Sequence, residues 1–169
     1  MTVAPHKADY PQQNSSMPEE RPILAELSGL ADGNMSAPNT IDPADVLHRV
    51  FGFAEFRGVQ EDVVRRTLDG QSTLAVMPTG AGKSLCYQLP ALIFEGTCIV
   101  ISPLIALMHD QLRAASAVGI RAATLTSADN NRAETIERLA SGGLDLLYVA
   151  PERASTPDFL RLLSETSIS

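Results

Sequence analysis

Residues 76–92 read Val-Met-Pro-Thr-Gly-Ala-Gly-Lys-Ser-Leu-Cys-Tyr-Gln-Leu-Pro-Ala-Leu. An apolar run meets a bend with almost no side chains, then Lys83-Ser84, then a second apolar run. A strand that feeds a Gly-rich loop, which in turn opens a helix, is the arrangement of a phosphate loop. Backbone N–H groups of such a loop form a concave nest, and the helix dipole favours an anion there. Bulky side chains would block the approach, and Thr79, Gly80, Ala81 and Gly82 leave it open. Lys83 would reach the β- and γ-phosphates of a nucleotide, and the Ser84 hydroxyl would hold Mg2+. The full pattern G-x-x-x-x-G-K-[ST] asks for Gly at position 77, where this chain has Met77. The plain alternative is a Gly-rich turn beside an incidental Lys-Ser. The register of strand, loop and helix speaks against it.

The flanking sequence repeats the strand–helix alternation. Asp42 can cap a helix with Pro43 in its first turn, running to about residue 50. A second helix is predicted over 59–68, closed by Gly70. Strands follow over 72–77, 97–101, 121–125 and 144–149. Helices are predicted over 83–94, 104–118, 132–140 and 156–164. The strands are short and apolar on both faces, so they predict a parallel α/β sheet with helices on both sides.

Composition sets bounds on this plan. A chain of 169 residues with 44% hydrophobic content can build one domain with a core. Residues 1–45 hold two Lys/Arg and seven Asp/Glu, a local balance of −5 within a total of −7. The rest is almost neutral, so any nucleic-acid reading must rest on motifs rather than on a basic surface. Residues 1–41 are rich in Pro, Ser, Asn and acids and read as a disordered acidic tail. Within it, Ile23, Leu24, Leu27 and Leu30 would share one face of a helical turn, a candidate docking patch for a protein partner or simply a weakly helical piece of tail. Residues 42–169 read as the folded part. Cys86 and Cys98 sit in apolar runs, which suits buried free thiols and a reducing cytosol. Gln88, Pro90, Glu95 and Pro103 interrupt the apolar stretch 85–108, so it reads as helix then strand, not as a membrane span.

The stretch from Met77 through Ala91 resembles motif I of the RecQ family of superfamily 2 DNA helicases, a family that tolerates a residue other than Gly at the first loop position. Phe51-Gly-Phe-Ala-Glu-Phe-Arg-Gly-Val-Gln60 resembles the adenine-recognition motif of that family. The resemblance implies that Arg57 and Gln60 contact adenine and that Phe53 packs on the base. A Gln amide offers both donor and acceptor, and an Arg plane can stack. Gly58-Val59 replaces the usual Pro-Gly, which implies a looser turn. Residues 100–112 resemble motif Ia, with Ser102 capping a helix, Pro103 in its first turn and Leu104 beside them. A free helix N-terminus there suits a DNA phosphate. Residues 146–154 resemble motif Ib, which places Arg153 beside DNA or leaves it a solvated surface charge. The resemblance covers about residues 43–165.

It implies the first RecA-like lobe of an ATP-dependent 3′→5′ DNA helicase, using ATP and Mg2+ on single-stranded or forked DNA in recombination and repair. The implied location is the cytoplasm, at the nucleoid if the source is bacterial. One part of the motor is missing. The family carries Asp-Glu-Ala-His on a buried strand, where Asp helps hold Mg2+ and Glu orients water. These 169 residues contain no Asp-Glu pair. The chain therefore reads as the front piece of a helicase with an incomplete first lobe. The competing reading is a catalytically inactive nucleotide- or DNA-binding remnant. A GTPase or small-molecule kinase ranks behind both, because no Asn-Lys-x-Asp is present to read guanine. In the implied sheet, the absent strands would lie between 72–77 and the strands of motifs Ia and Ib, leaving unpaired ladder edges.

Overall fold

The computed structural model describes residues 41–126 and 131–169. The acidic tail and its apolar patch lie outside the described residues, apart from Ile41, which packs against the core. Asp42 caps α1 (Pro43–Phe51) by accepting the Ala44 N–H at 3.0 Å, and Gly52 ends the helix at φ 70°. After α2 (Gln60–Leu68), Gly70 turns the chain at φ 72°. α3 (Leu85–Ile93) buries every residue from Leu85 to Leu92. A helix apolar all round must be covered from several sides. α1 and α2 cover α3 on one side, and the sheet with α4 (Ile105–Ala117) encloses the rest of the same core.

The sheet has three parallel strands, β1 (Cys98–Ile101), β2 (Ala122–Leu125) and β3 (Leu146–Val149), in the order β1-β3-β2. Side chains alternate across it with the period of two that a strand imposes. Cys98, Val100, Ala122, Leu146 and Tyr148 join the core with α1, α3 and α4. Ile99, Ala123, Leu125, Leu147 and Val149 face the opposite way, onto Leu139 of α5 (Arg132–Ala140) and Phe159 of α7 (Pro157–Ser164). Helices cover both faces, as the apolar strands predict. Where β2 and β3 begin, buried Asp145 accepts the Arg121 backbone N–H at 2.9 Å and its guanidinium at 2.8 Å. That ion pair locks the start of the two ladders together. A one-turn helix, α6 (Pro151–Ala154), follows β3 and is not expected from the sequence.

One predicted strand is absent. Residues 71–78 belong to no strand or helix. Burial still alternates there: Thr73, Ala75 and Met77 are half-buried, while Leu74 and Val76 are 87% and 88% exposed. The apolar alternation is real, but a strand needs a ladder neighbour to bond its backbone groups, and 72–77 has none among the described residues. On the side of β1 away from β3, Thr97 instead exchanges hydrogen bonds with Ser167 and Ser169, forming an isolated bridge to Ile168. Leu74 and Val76 are thus exposed apolar residues beside an unpaired backbone.

Candidate functional site

The loop between residue 78 and α3 is built by backbone. Gly80 and Gly82 take φ 83° and 71°, a left-handed geometry that other residues adopt only at a cost. The first turn is drawn in early: the N–H groups of Leu85 and Cys86 donate to the carbonyls of Gly82 and Lys83. Among the described residues, the N–H groups of Gly82, Lys83 and Ser84 make no hydrogen bond. Three successive free donors at a helix start form an anion-binding concavity. Lys83 folds back across its own loop, with Nζ donating to the Met77 carbonyl at 3.1 Å and the Pro78 carbonyl at 2.7 Å.

Of the residues expected to hold adenine, Gln60 bonds to this loop and Arg57 bonds to Gln60. Arg57 lies over the Phe53 ring, 5.8 Å from guanidinium carbon to centroid, and both side chains are exposed. Gly58, at φ 53°, turns the chain from Arg57 toward α2. Gln60 differs from expectation. It is only 4% exposed, and its amide is engaged at both ends. Oε1 accepts the Arg57 N–H at 2.8 Å; Nε2 donates to the carbonyls of Ala81 at 2.9 Å and Gly82 at 3.2 Å. In this geometry the Gln60 amide is bonded to the backbone of the loop ahead of α3. The one visible sequence cue is that Gln60 is the first residue of α2, close enough to a turn to reach backbone.

Ser84 is joined to a polar chain that the sequence does not reveal. Its Oγ donates to Gln111 Oε1 of α4 at 2.6 Å, and the Tyr87 hydroxyl donates to the same oxygen at 3.0 Å. The Tyr87 and Tyr148 hydroxyls lie 3.5 Å apart, and Gln88 Nε2 donates to the Tyr148 oxygen at 3.4 Å. The two rings meet edge to face. Burial raises the ionisation of both phenols above the ordinary tyrosine range, so both remain protonated donors. Burial likewise pushes the Cys98 thiol up to about 12 and raises Cys86. Both cysteines are buried and free, as expected.

The motif Ia and Ib residues meet at the carboxyl edge of the sheet. Ile101 and Val149 are register partners on adjacent parallel strands, so the segments after them emerge side by side. The Ser102 N–H donates to the Val149 carbonyl at 3.1 Å, tying the two segments together. Ser102 does not cap α4: the helix starts at Ile105 with Leu104 in the cap position and no side-chain cap bond. The Ser102 hydroxyl accepts the Leu104 N–H at 3.4 Å instead, because the chain needs two further residues, Pro103 and Leu104, to turn from β1 into the helix. Pro103 and Leu104 are exposed. Arg153, on α6, is half-buried, and its Nε has no hydrogen-bond partner among the described residues.

A family model described as DEAD/DEAH box helicase matches residues 57–167. The chain belongs to the DEAD/DEAH box helicase family. Within that helicase family its similarity lies with RecQ proteins. It is 50% identical over 127 residues to the ATP-dependent DNA helicase RecQ of Pasteurella multocida, across 74% of this chain and 20% of that protein. It is 46% identical over 121 residues to the ATP-dependent DNA helicase RecQ of Bacillus subtilis, across 70% of this chain and 20% of that protein. The crystal structure of a hypothetical ATP-dependent RNA helicase from Sulfolobus tokodaii shares the fold, with a TM-score of 0.54 at 23% identity over 73% of this chain and 36% of that one. The chain spans about a fifth of the length of the curated relatives it matches. Among the described residues, no helix is long and apolar enough to cross a membrane.

Proposed function

We propose that this helicase-family chain binds ATP on the loop 79–84 and contributes part of the DNA-contacting surface of a RecQ-type 3′→5′ DNA helicase acting in recombination and repair. The observation that carries the reading is the run of three free N–H donors at Gly82, Lys83 and Ser84, with an exposed cation and a hydroxyl on the same turn. Triphosphate would draw Lys83 from the Met77 and Pro78 carbonyls onto its own charge. Phe53 and Arg57, exposed and 5.8 Å apart from guanidinium to ring, would stack on adenine.

Mg2+ fits the donor chemistry in part. The Ser84 hydroxyl gives its proton to Gln111, which leaves its lone pairs for a hard cation. No group of three or more His, Cys, Asp or Glu is placed for a metal among the described residues. Of the described residues Ser84 would hold Mg2+, together with the nucleotide phosphates and water. Bound there, it neutralises charge on the phosphates.

DNA phosphates would lie along Ser102, Pro103, Leu104 and Arg153, where two parallel strands deliver adjacent segments to one edge. Single-stranded or forked DNA is the proposed substrate.

The test is calorimetric titration of ATP with Mg2+ into the chain and into Lys83→Ala, together with DNA binding by Arg153→Ala. Binding of ATP that Lys83→Ala does not weaken would contradict the nucleotide site. A second reading, binding without turnover, is favoured for these 169 residues by the lack of any Asp-Glu pair. A DNA-stimulated phosphate-release assay separates the two.

A further inference from the structure

Gln111 lies outside the phosphate loop, on the helix whose start carries the DNA-facing residues. Its Oε1 receives two hydrogen bonds, from Ser84 Oγ at 2.6 Å and from the Tyr87 hydroxyl at 3.0 Å. A carbonyl oxygen has two lone-pair directions, so both are filled. The direction of the protons follows from the far end of the chain. Gln88 Nε2 can only donate, so the Tyr148 oxygen accepts and its proton turns toward Tyr87; the Tyr87 proton then turns toward Gln111. The relay therefore ends on an acceptor, and Ser84 must give its proton to that acceptor.

A serine hydroxyl is a free rotor unless something holds it. With its proton fixed on Gln111, the Ser84 oxygen keeps its lone pairs for another partner. Resting on the nucleotide-site reading above, we propose that Gln111 is a positioning residue for metal–nucleotide binding: it orients the Ser84 hydroxyl so that its lone pairs meet Mg2+ carried by ATP. The arrangement also ties the nucleotide loop to α4 through one oxygen. Gln111 sits about 9 Å along the helix axis from Ile105, where the DNA-facing end begins. Partners that orient a metal ligand typically change metal affinity by about 10–100-fold when removed.

The experiment measures ATP affinity by calorimetry with saturating Mg2+ and with chelator, in the unaltered chain and in Gln111→Ala, Gln111→Glu, Ser84→Ala and the Ser84→Ala/Gln111→Ala pair. The expected result is selective. Gln111→Ala loses about tenfold or more of the Mg2+-dependent gain in affinity. Gln111→Glu, which keeps an oxygen acceptor at the same reach, retains most of the gain. In the Ser84→Ala background, Gln111→Ala changes the gain no further. Equal weakening with and without Mg2+, or a full gain in Gln111→Ala, overturns the assignment while leaving the nucleotide site standing. Failure of the unaltered chain to bind ATP under either condition overturns the nucleotide-site reading and this assignment with it.

Discussion

Gln60 Nε2 stands 2.9 Å from the Ala81 carbonyl oxygen, across 21 residues of sequence. With the second bond from Nε2, to the Gly82 carbonyl at 3.2 Å, it ties the start of α2 to the loop ahead of α3. A Cβ built on Gly82 would come within 2.4 Å of the same nitrogen, so the loop and the glutamine fit closely.

Gln60→Ala should therefore weaken ATP, GTP and bare triphosphate by a similar factor. Loss of a hydrogen-bonding side chain that leaves buried partners unsatisfied costs about 1–3 kcal/mol, or roughly 5- to 100-fold. Competition binding with the three ligands checks it. A loss confined to ATP would show that Gln60 leaves the loop to read the base.

Lys83→Ala should reduce ATP affinity about 10- to 100-fold, as expected for a lost hydrogen bond to a charged group. The fold should be untouched, since the ammonium bonds only to exposed loop carbonyls. Calorimetry and a melting curve on one sample test both halves.

Asp145→Ala should destabilise the folded chain by about 2–3 kcal/mol, because the buried carboxylate accepts both the backbone and the guanidinium of Arg121. Leu74→Glu with Val76→Lys should shift stability by no more than about 0.5 kcal/mol, since both side chains are almost fully exposed. The same pair should raise solubility by removing a bare apolar edge. Denaturant titration and a solubility curve distinguish the two variants. A large destabilisation by the Leu74/Val76 pair would mean that residues 72–77 are paired in solution.

Alkaline pH should unfold the chain. Cys98, Cys86, Tyr87 and Tyr148 all have ionisation raised by burial, so the folded state favours their protonated forms. A raised group contributes its full stability below its unfolded value and loses it as pH climbs toward the folded one. For Cys98 that window runs from 9.0 to about 12. Melting temperature should be flat near neutrality and fall steadily above pH 9. Cys98→Ser should make the fall shallower.

Much of the fold was legible because its cues are local. Asp42-Pro43 marks a helix start whose cap bond lies within three residues, and the apolar runs of β1, β2 and β3 predict buried parallel strands. Residues 72–77 carry the same local cue and form no strand, because pairing depends on a neighbour elsewhere in the chain. The tight loop ahead of α3 was legible from Gly80 and Gly82, both of which take positive φ. The bonds from Gln60 to Ala81 and from Ser84 to Gln111 were not, since each joins residues more than 20 positions apart and no spacing rule links them. The Ser102 cap failed for a smaller reason: Pro103 and Leu104 are needed for the turn, which moves the helix start past the reach of the serine.

In the proposed nucleotide site the backbone of Gly82, Lys83 and Ser84 receives the phosphates of ATP. Amide NMR of the chain titrated with ATP and Mg2+, with AMP as the control, tests it most directly. These three amides should shift strongly with ATP and little with AMP. Shifts elsewhere with these three unmoved, or no response to ATP at all, would contradict it.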